Sequence, residues 1–216
     1  MEKAQGLISQ VIENEGFYLY VPFPDTYLIE KREITECEVG IDDGRTIRIK
    51  QRKKAYALLR DIADWSGHVI EYLKDYFKAD FIAENGGKWF SLSDTDVTTA
   101  RGFIDHMVHF CLKYGIPCQD TLLNQAEDIS KYLYYCLLYR RCAICGRPAD
   151  VHHIIGSKIG MGGNRKTTHH LNRECVALCR IHHGKAHNDE VEFFNKWHIY
   201  GIKLDSNLCE KLNLRK

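Results

Sequence analysis

The chain has 216 residues, 44% of them hydrophobic and 27% charged, with a formal net charge of +1. That mixture supplies a core and excludes a disordered tail, a collagen-like fibre and a coiled coil. No apolar run approaches the ~20 residues of a membrane-spanning helix. The opening MEKAQGLISQVIENEG lacks the apolar segment of a secretion signal, so no membrane partner and a cytoplasmic location are expected.

The near-neutral total conceals a split. Residues 1–120 carry 15 Lys+Arg against 20 Asp+Glu, and residues 121–216 carry 15 against 9. Nine cysteines without an export signal point to metal ligation and buried thiols, not disulfides.

The N-terminal stretch reads as strands. In TECEVGIDDGRTIRIK two alternating runs flank the turn signal Asp42-Asp43-Gly44, and Ile47 and Ile49 would face inward with Arg48 and Lys50 outward. QRKKAYALLRDIADWSG places Ala55, Leu58, Leu59, Ile62 and Trp65 at helical spacing, with Gly67 as the stop. HVIEYLKDYFKADF predicts a second helix. WFSLSDTDVTTARGFIDHMVHFCLKYGIP predicts a short strand and then a long helix striped by Ala100, Phe103, Ile104, Met107, Phe110 and Cys111, closed by Gly115 and Pro117. A further amphipathic helix is expected from Thr121 to Tyr139, bridging to a segment rich in Cys, His and Gly.

That last segment carries the chemistry. Cys142-x2-Cys145 and Cys179-x2-His182 are two pairs of the kind that complete a tetrahedral zinc site, with Cys175 as a less well spaced substitute for Cys179. His152 and His153 lie on the apolar run VHHII, where alternation sends them to opposite faces. His183 and His187, four apart, share one face of a helix opening near Arg180. The other cysteines, Cys37, Cys111, Cys118, Cys136 and Cys209, read as small hydrophobes. His169 and His170 read as loop residues.

This order of pieces resembles the HNH (ββα-metal) endonuclease family: the leading Cys pair, the VHHI strand, the polar loop GMGGNRK, and ALCRIHHGKAH for the second strand and helix. The resemblance implies His153 as general base and His152, His183 and His187 as ligands of a catalytic divalent ion. It also implies that Cys142, Cys145, Cys179 and His182 hold a structural zinc. The family's middle Asn falls nine residues before the closing His, at Glu174; Asn172 and His170 are close enough to serve instead. Three imidazoles suit Mn²⁺, Ni²⁺, Co²⁺ or Zn²⁺ better than Mg²⁺. Arg165, Lys166 and Arg180 would hold neighbouring phosphates.

In the first half, RTIRIKQRKK places six basic residues at a strand-to-helix junction. The stretch over residues 45–117 resembles the NinB family of phage recombination mediators, to which lambda Orf belongs, in the order of its basic helix start, second helix, short strand and long helix. By that resemblance Arg48, Lys50, Arg52, Lys53 and Lys54 contact DNA, Tyr56 or Trp65 stacks on bases, and the protein is a homodimer that meets single-strand-binding protein. The whole chain is similar to proteins of phages of Gram-positive bacteria identified as HNH nucleases.

The expected architecture is α+β: a NinB-like single-stranded DNA-binding and dimerisation domain over 1–120, a bridging helix over 121–140, and a zinc-stabilised HNH domain over 141–216. The expected function is metal-dependent cleavage of single-stranded or branched DNA in phage recombination or DNA processing. The alternative is a non-catalytic mediator whose HNH region is a degenerate zinc module.

Overall fold

A computed structural model of the chain describes residues 6–13, 15–22, 24, 26–35, 44–157 and 168–216. The turn residues Asp42 and Asp43, Cys37, the GMGGNRK loop, Arg165 and Lys166 lie outside the described residues. The fold is α+β, and the chain divides into two compact units, residues 1–41 and 42–216.

In the first unit, β1 (Leu7–Ile12) and β2 (Gly16–Tyr20) form an antiparallel hairpin whose register shifts between Ile8 and Gln10, and α1 (Thr26–Lys31) follows. This hairpin precedes the two runs read as strands, and residues 36–40 of the first run, TECEVG, lie outside the described residues.

The second unit is helical up to about residue 140. Helices α2 (Ile49–Ser66), α3 (Ile70–Asn85) and α4 (Val97–Tyr114) pack around Leu58, Leu59, Ile62, Phe77, Phe103, Ile104 and Met107, all buried. Each such side chain, removed from water, stabilises the fold by about 1.5–3 kcal/mol. Phe77 meets Phe110 edge-on at 4.9 Å between ring centroids, an arrangement aromatic quadrupoles favour. Gly67 and Gly115 end α2 and α4 in the left-handed conformation, at φ 76° and 66°.

Three local expectations are corrected. The predicted strand over 45–50 gives way to an earlier helix start. Thr46 makes only an isolated bridge to Asp96, Ile47 is buried, and Ile49 already sits in the first turn of α2, 72% exposed. Gln51 explains this, because its side chain accepts from the Arg48 backbone N–H at 3.1 Å and caps the helix there. The short strand predicted ahead of α4 does not form, as that stretch pairs only through the same bridge. Trp65, predicted on the buried stripe, is 47% exposed and lies at the rim, against Phe110 and Tyr114.

The single helix predicted over 121–139 is two, α5 (Leu122–Gln125) and α6 (Ile129–Leu138). The Asp105 carboxylate on α4 accepts the N–H groups of Glu127 and Asp128, and Asp128 caps α6 through Lys131 N–H. Those satisfied donors hold the chain out of helix between the two.

The remaining chain forms a three-stranded antiparallel sheet in the order β3 (Asp150–His153), β4 (Glu174–Leu178) and β5 (Ile202–Lys203). Helix α7 (Arg180–Asn188) follows β4 directly, then α8 (Glu190–Trp197), and α9 (Ser206–Lys211) follows β5. β3, β4 and α7 together make a ββα unit. Helix α6 packs on both α4 and β4, which joins the helical part of the unit to this sheet.

Candidate metal centres

Cys142 and Cys145 occupy a tight turn just before β3. Cys142 N–H donates to Arg147 O at 2.8 Å and Gly146 N–H to Cys142 O at 2.9 Å, with Gly146 at φ 68°, where a side chain would be strained. The turn is pinned from two sides: Ala143 N–H donates to Ala177 O on β4, and the buried Tyr132 hydroxyl on α6 donates to Ala143 O, both within 2.9 Å. Opposite it, Cys179 is the N-cap of α7 and His182 lies in the first helical turn. Cys179 makes no side-chain capping bond; its sulfur turns toward the other ligands instead.

The four ligand atoms lie within 4.8 Å of one another. Cys145 Sγ and Cys179 Sγ are 3.8 Å apart, and His182 Nδ1 lies 3.3 Å from Cys142 Sγ and 3.4 Å from Cys179 Sγ. With ~2.3 Å metal–sulfur and ~2.0 Å metal–nitrogen bonds, tetrahedral edges are about 3.8 and 3.5 Å. The three measured separations therefore match the spacing of a tetrahedral zinc site. Burial pushes the Cys142 thiol up to about 12. Cys145 is lowered: burial is the largest single influence and raises it, but the hydrogen bonds to its sulfur from the Arg147 side chain (Nε–H at 3.4 Å) and backbone, Cys142 and Cys179 together outweigh burial. Cys175, the alternative ligand, is buried on β4 outside this group.

His152, His183 and His187 form a second group whose ligand atoms lie within 4.8 Å of one another. The ring centroids of His152 and His183 are 4.7 Å apart, those of His152 and His187 5.0 Å, and those of His183 and His187 4.6 Å. Strand alternation supplies the first and helical spacing the other two. Access rises around the group: His152 is buried, His183 half-buried and His187 exposed. Burial, then the neighbouring His152 and His187, push His183 down to about 4, so its imidazole is neutral at pH 7 and able to ligate.

His153 points to the other side of β3 and is half-buried. Its Nε2 lies 3.1 Å from Nδ1 of His170, a buried ring whose backbone N–H donates to Arg215 O. The two other candidates for the middle position lie elsewhere. Asn172 is exposed at φ 63° with its N–H on Leu204 O, Glu174 opens β4 opposite Lys203, and neither hydrogen-bonds to His153.

The basic candidates divide by partner. Arg48, Lys50 and Lys53 are exposed at the start of α2. Arg52 donates to Ser93 O, and Lys54 is held by Glu127 at 2.8 Å and Gln125 O at 3.2 Å. An open groove of about 910 Å³ runs beside them, lined also by Tyr56, Arg60 and Asn124. Arg180 is 86% exposed at the start of α7 and pairs with Asp150 at 2.8 Å. No helix among the described residues is long and apolar enough to cross a membrane.

The family described as "Putative HNHc nuclease" matches residues 21–215. The chain belongs to this family. Its membership in an HNH nuclease family agrees with the ββα unit, with the histidines on β3 and α7, and with a need for a divalent metal. A curated relative, "Uncharacterized protein YdfU" of Escherichia coli K12, is 45% identical over 65 residues, which cover 30% of this chain and 17% of that protein. The chain thus spans about a sixth of that relative's length. No solved structure matches the chain.

One group beside these residues was not singled out by the sequence, Glu190 beside His152, whereas His170 was named only as a substitute at the middle position and otherwise read as a loop residue. His170 carried a weak signal, its closeness to the expected Asn position. Glu190 carried none, because an acid at a helix start is ordinarily a solvated cap.

Proposed function

We propose that the chain is a DNA endonuclease that hydrolyses phosphodiester bonds with a divalent metal held by His152, His183 and His187. The observation that carries this reading is the convergence of those three imidazoles on one side of β3, with His153 presented on the other. His153 is the general base that takes a proton from the attacking water. His170 holds the His153 ring in orientation, filling the place expected for Asn172 or Glu174. A bound Mn²⁺, Ni²⁺, Co²⁺ or Zn²⁺, less readily Mg²⁺, would supply charge neutralisation at the scissile phosphate and the departing oxygen. Cys142, Cys145, Cys179 and His182 hold a structural zinc that fixes the start of α7 against the turn before β3. Arg180, with Arg165 and Lys166, steadies flanking phosphates.

The NinB resemblance supports the finer assignments: single-stranded or branched DNA as substrate, a phage recombination setting, a homodimer in the host cytoplasm, and contact with single-strand-binding protein. Residues 1–120 would bind DNA and dimerise, 121–140 bridge, and 141–216 cut. Exposed Lys50 and Lys53 lining the open groove, with exposed Arg48 just ahead of α2, support DNA tracking along α2. Arg52 and Lys54 are committed to partners within the fold and would contribute less.

The test is a cleavage panel over single-stranded, duplex, flapped and four-way DNA with metals varied. We expect nicking with Mn²⁺ or Ni²⁺, abolished in His153→Ala while DNA binding survives. Protein of confirmed metal content that cuts no DNA form would leave the mediator reading in its place.

A further inference from the structure

Glu190 is 7% exposed, in the first turn of α8 immediately after the N-cap Asp189. One carboxylate oxygen lies 2.9 Å from His152 Nε2, and the other accepts the backbone N–H of Ile155, two residues past the end of β3. A carboxylate this far from water is costly unless both oxygens are satisfied. Here they are, by two groups of the same strand exit.

The chemistry of that pair fixes a proton. An ionised carboxylate only accepts, so the nitrogen facing it must carry the hydrogen. As a neutral metal ligand His152 would then be the Nε2–H tautomer, which leaves Nδ1 as the nitrogen able to coordinate. The same ring stands 4.7 and 5.0 Å from His183 and His187, centroid to centroid.

We propose that Glu190 is a positioning residue of the histidine centre, holding His152 as the Nε2–H tautomer so that Nδ1 is the coordinating atom. It rests on the reading of His152, His183 and His187 as one metal site. Its anchor on Ile155 N–H ties the height of the His152 ring to the end of β3, and α8 thereby becomes part of the site although it contributes no ligand. A carboxylate behind a metal-bound imidazole also raises the basicity of the ligating nitrogen, and loss of such a partner typically weakens metal binding 10- to 100-fold.

The experiment titrates NiCl₂ calorimetrically into the full-length protein, its zinc content verified by elemental analysis, as wild type, Glu190→Gln and Glu190→Ala. We expect Ni²⁺ to bind about 10- to 100-fold more weakly in Glu190→Ala, with Glu190→Gln between the two, and zinc content and circular dichroism unchanged. Nitrogen-15 correlation of the imidazoles should show the Nε2–H tautomer at His152 in the wild type and a mixture in Glu190→Ala. A role in packing alone would not move the tautomer. Equal Ni²⁺ affinity in wild type and Glu190→Ala, or an Nδ1–H tautomer at wild-type His152, overturns the proposal and leaves the metal centre standing. Should Glu190→Ala fail to fold, an affinity of Glu190→Gln within twofold of wild type overturns it equally. A wild type that binds no Ni²⁺ overturns the centre and this proposal together.

Discussion

The two ligand groups sit on the same junction of β4 and α7 and differ in almost every physical respect. The cysteine group is tight, with its atoms already at tetrahedral spacing and its turn pinned by Ala143 and Tyr132. The histidine group is graded, from buried His152 to exposed His187. Closed four-ligand sites are structural, whereas catalytic sites keep a coordination position open for water or substrate. A short segment thus builds one site for stability and one for reactivity, and burial tells them apart better than ligand type does.

The sharpest way to break this comparison is to remove a ligand from each group. Cys142→Ser should give the largest effect: loss of bound zinc and of folded structure around β3, β4 and α7, since structural zinc contributes on the order of 10 kcal/mol in small zinc modules. Elemental analysis and circular dichroism check it, and a metal-free yet folded variant would make the two groups alike after all. His183→Ala should leave zinc and fold intact and abolish metal-supported cleavage, which a nicking assay with parallel zinc determination reads.

Smaller effects sharpen the picture on the open side. His153→Ala should lower the cleavage rate by about 10²–10⁴, the usual contribution of a general base, with metal affinity unchanged. His170→Ala should cost about tenfold, the scale of one orienting hydrogen bond. Equal losses in the two variants would mean that the pair acts as a unit. Least of all, Lys53→Ala with Arg60→Ala should leave cleavage of saturating substrate unchanged. The slope of log affinity against log salt should flatten by about one for every phosphate that the variant no longer neutralises. An unchanged slope would remove the groove beside α2 from the DNA-binding surface.

What the sequence made legible follows how local each signal is. The stripe through Ala100, Phe103, Ile104, Met107 and Cys111 is a pattern within one helix, and it describes the buried face of α4. The spacings Cys142-x2-Cys145, Cys179-x2-His182 and His183-x3-His187 are likewise local, and the structure brings each set together. Tertiary partners decided the rest. The break between α5 and α6 is imposed by Asp105, more than twenty residues earlier in the chain. His153 meets His170 across 17 residues and His152 meets Glu190 across 38, separations over which no periodicity reaches. The alternation that would have turned Ile49 inward lost to a capping bond from Gln51.

Helix α7 assigns consecutive residues to different duties, His182 to the cysteines and His183 to the histidines. Neighbours on a helix are turned by about 100° from each other, so the phase of this one helix sets the aim of both rings. An insertion or deletion near its start would spin both ligands off target at once, so neither centre can be retuned by shifting the register. Redesign of metal preference therefore has one natural handle, His187, a full turn downstream and open to solvent, where the ligand can be exchanged without disturbing the gearing between the two sites.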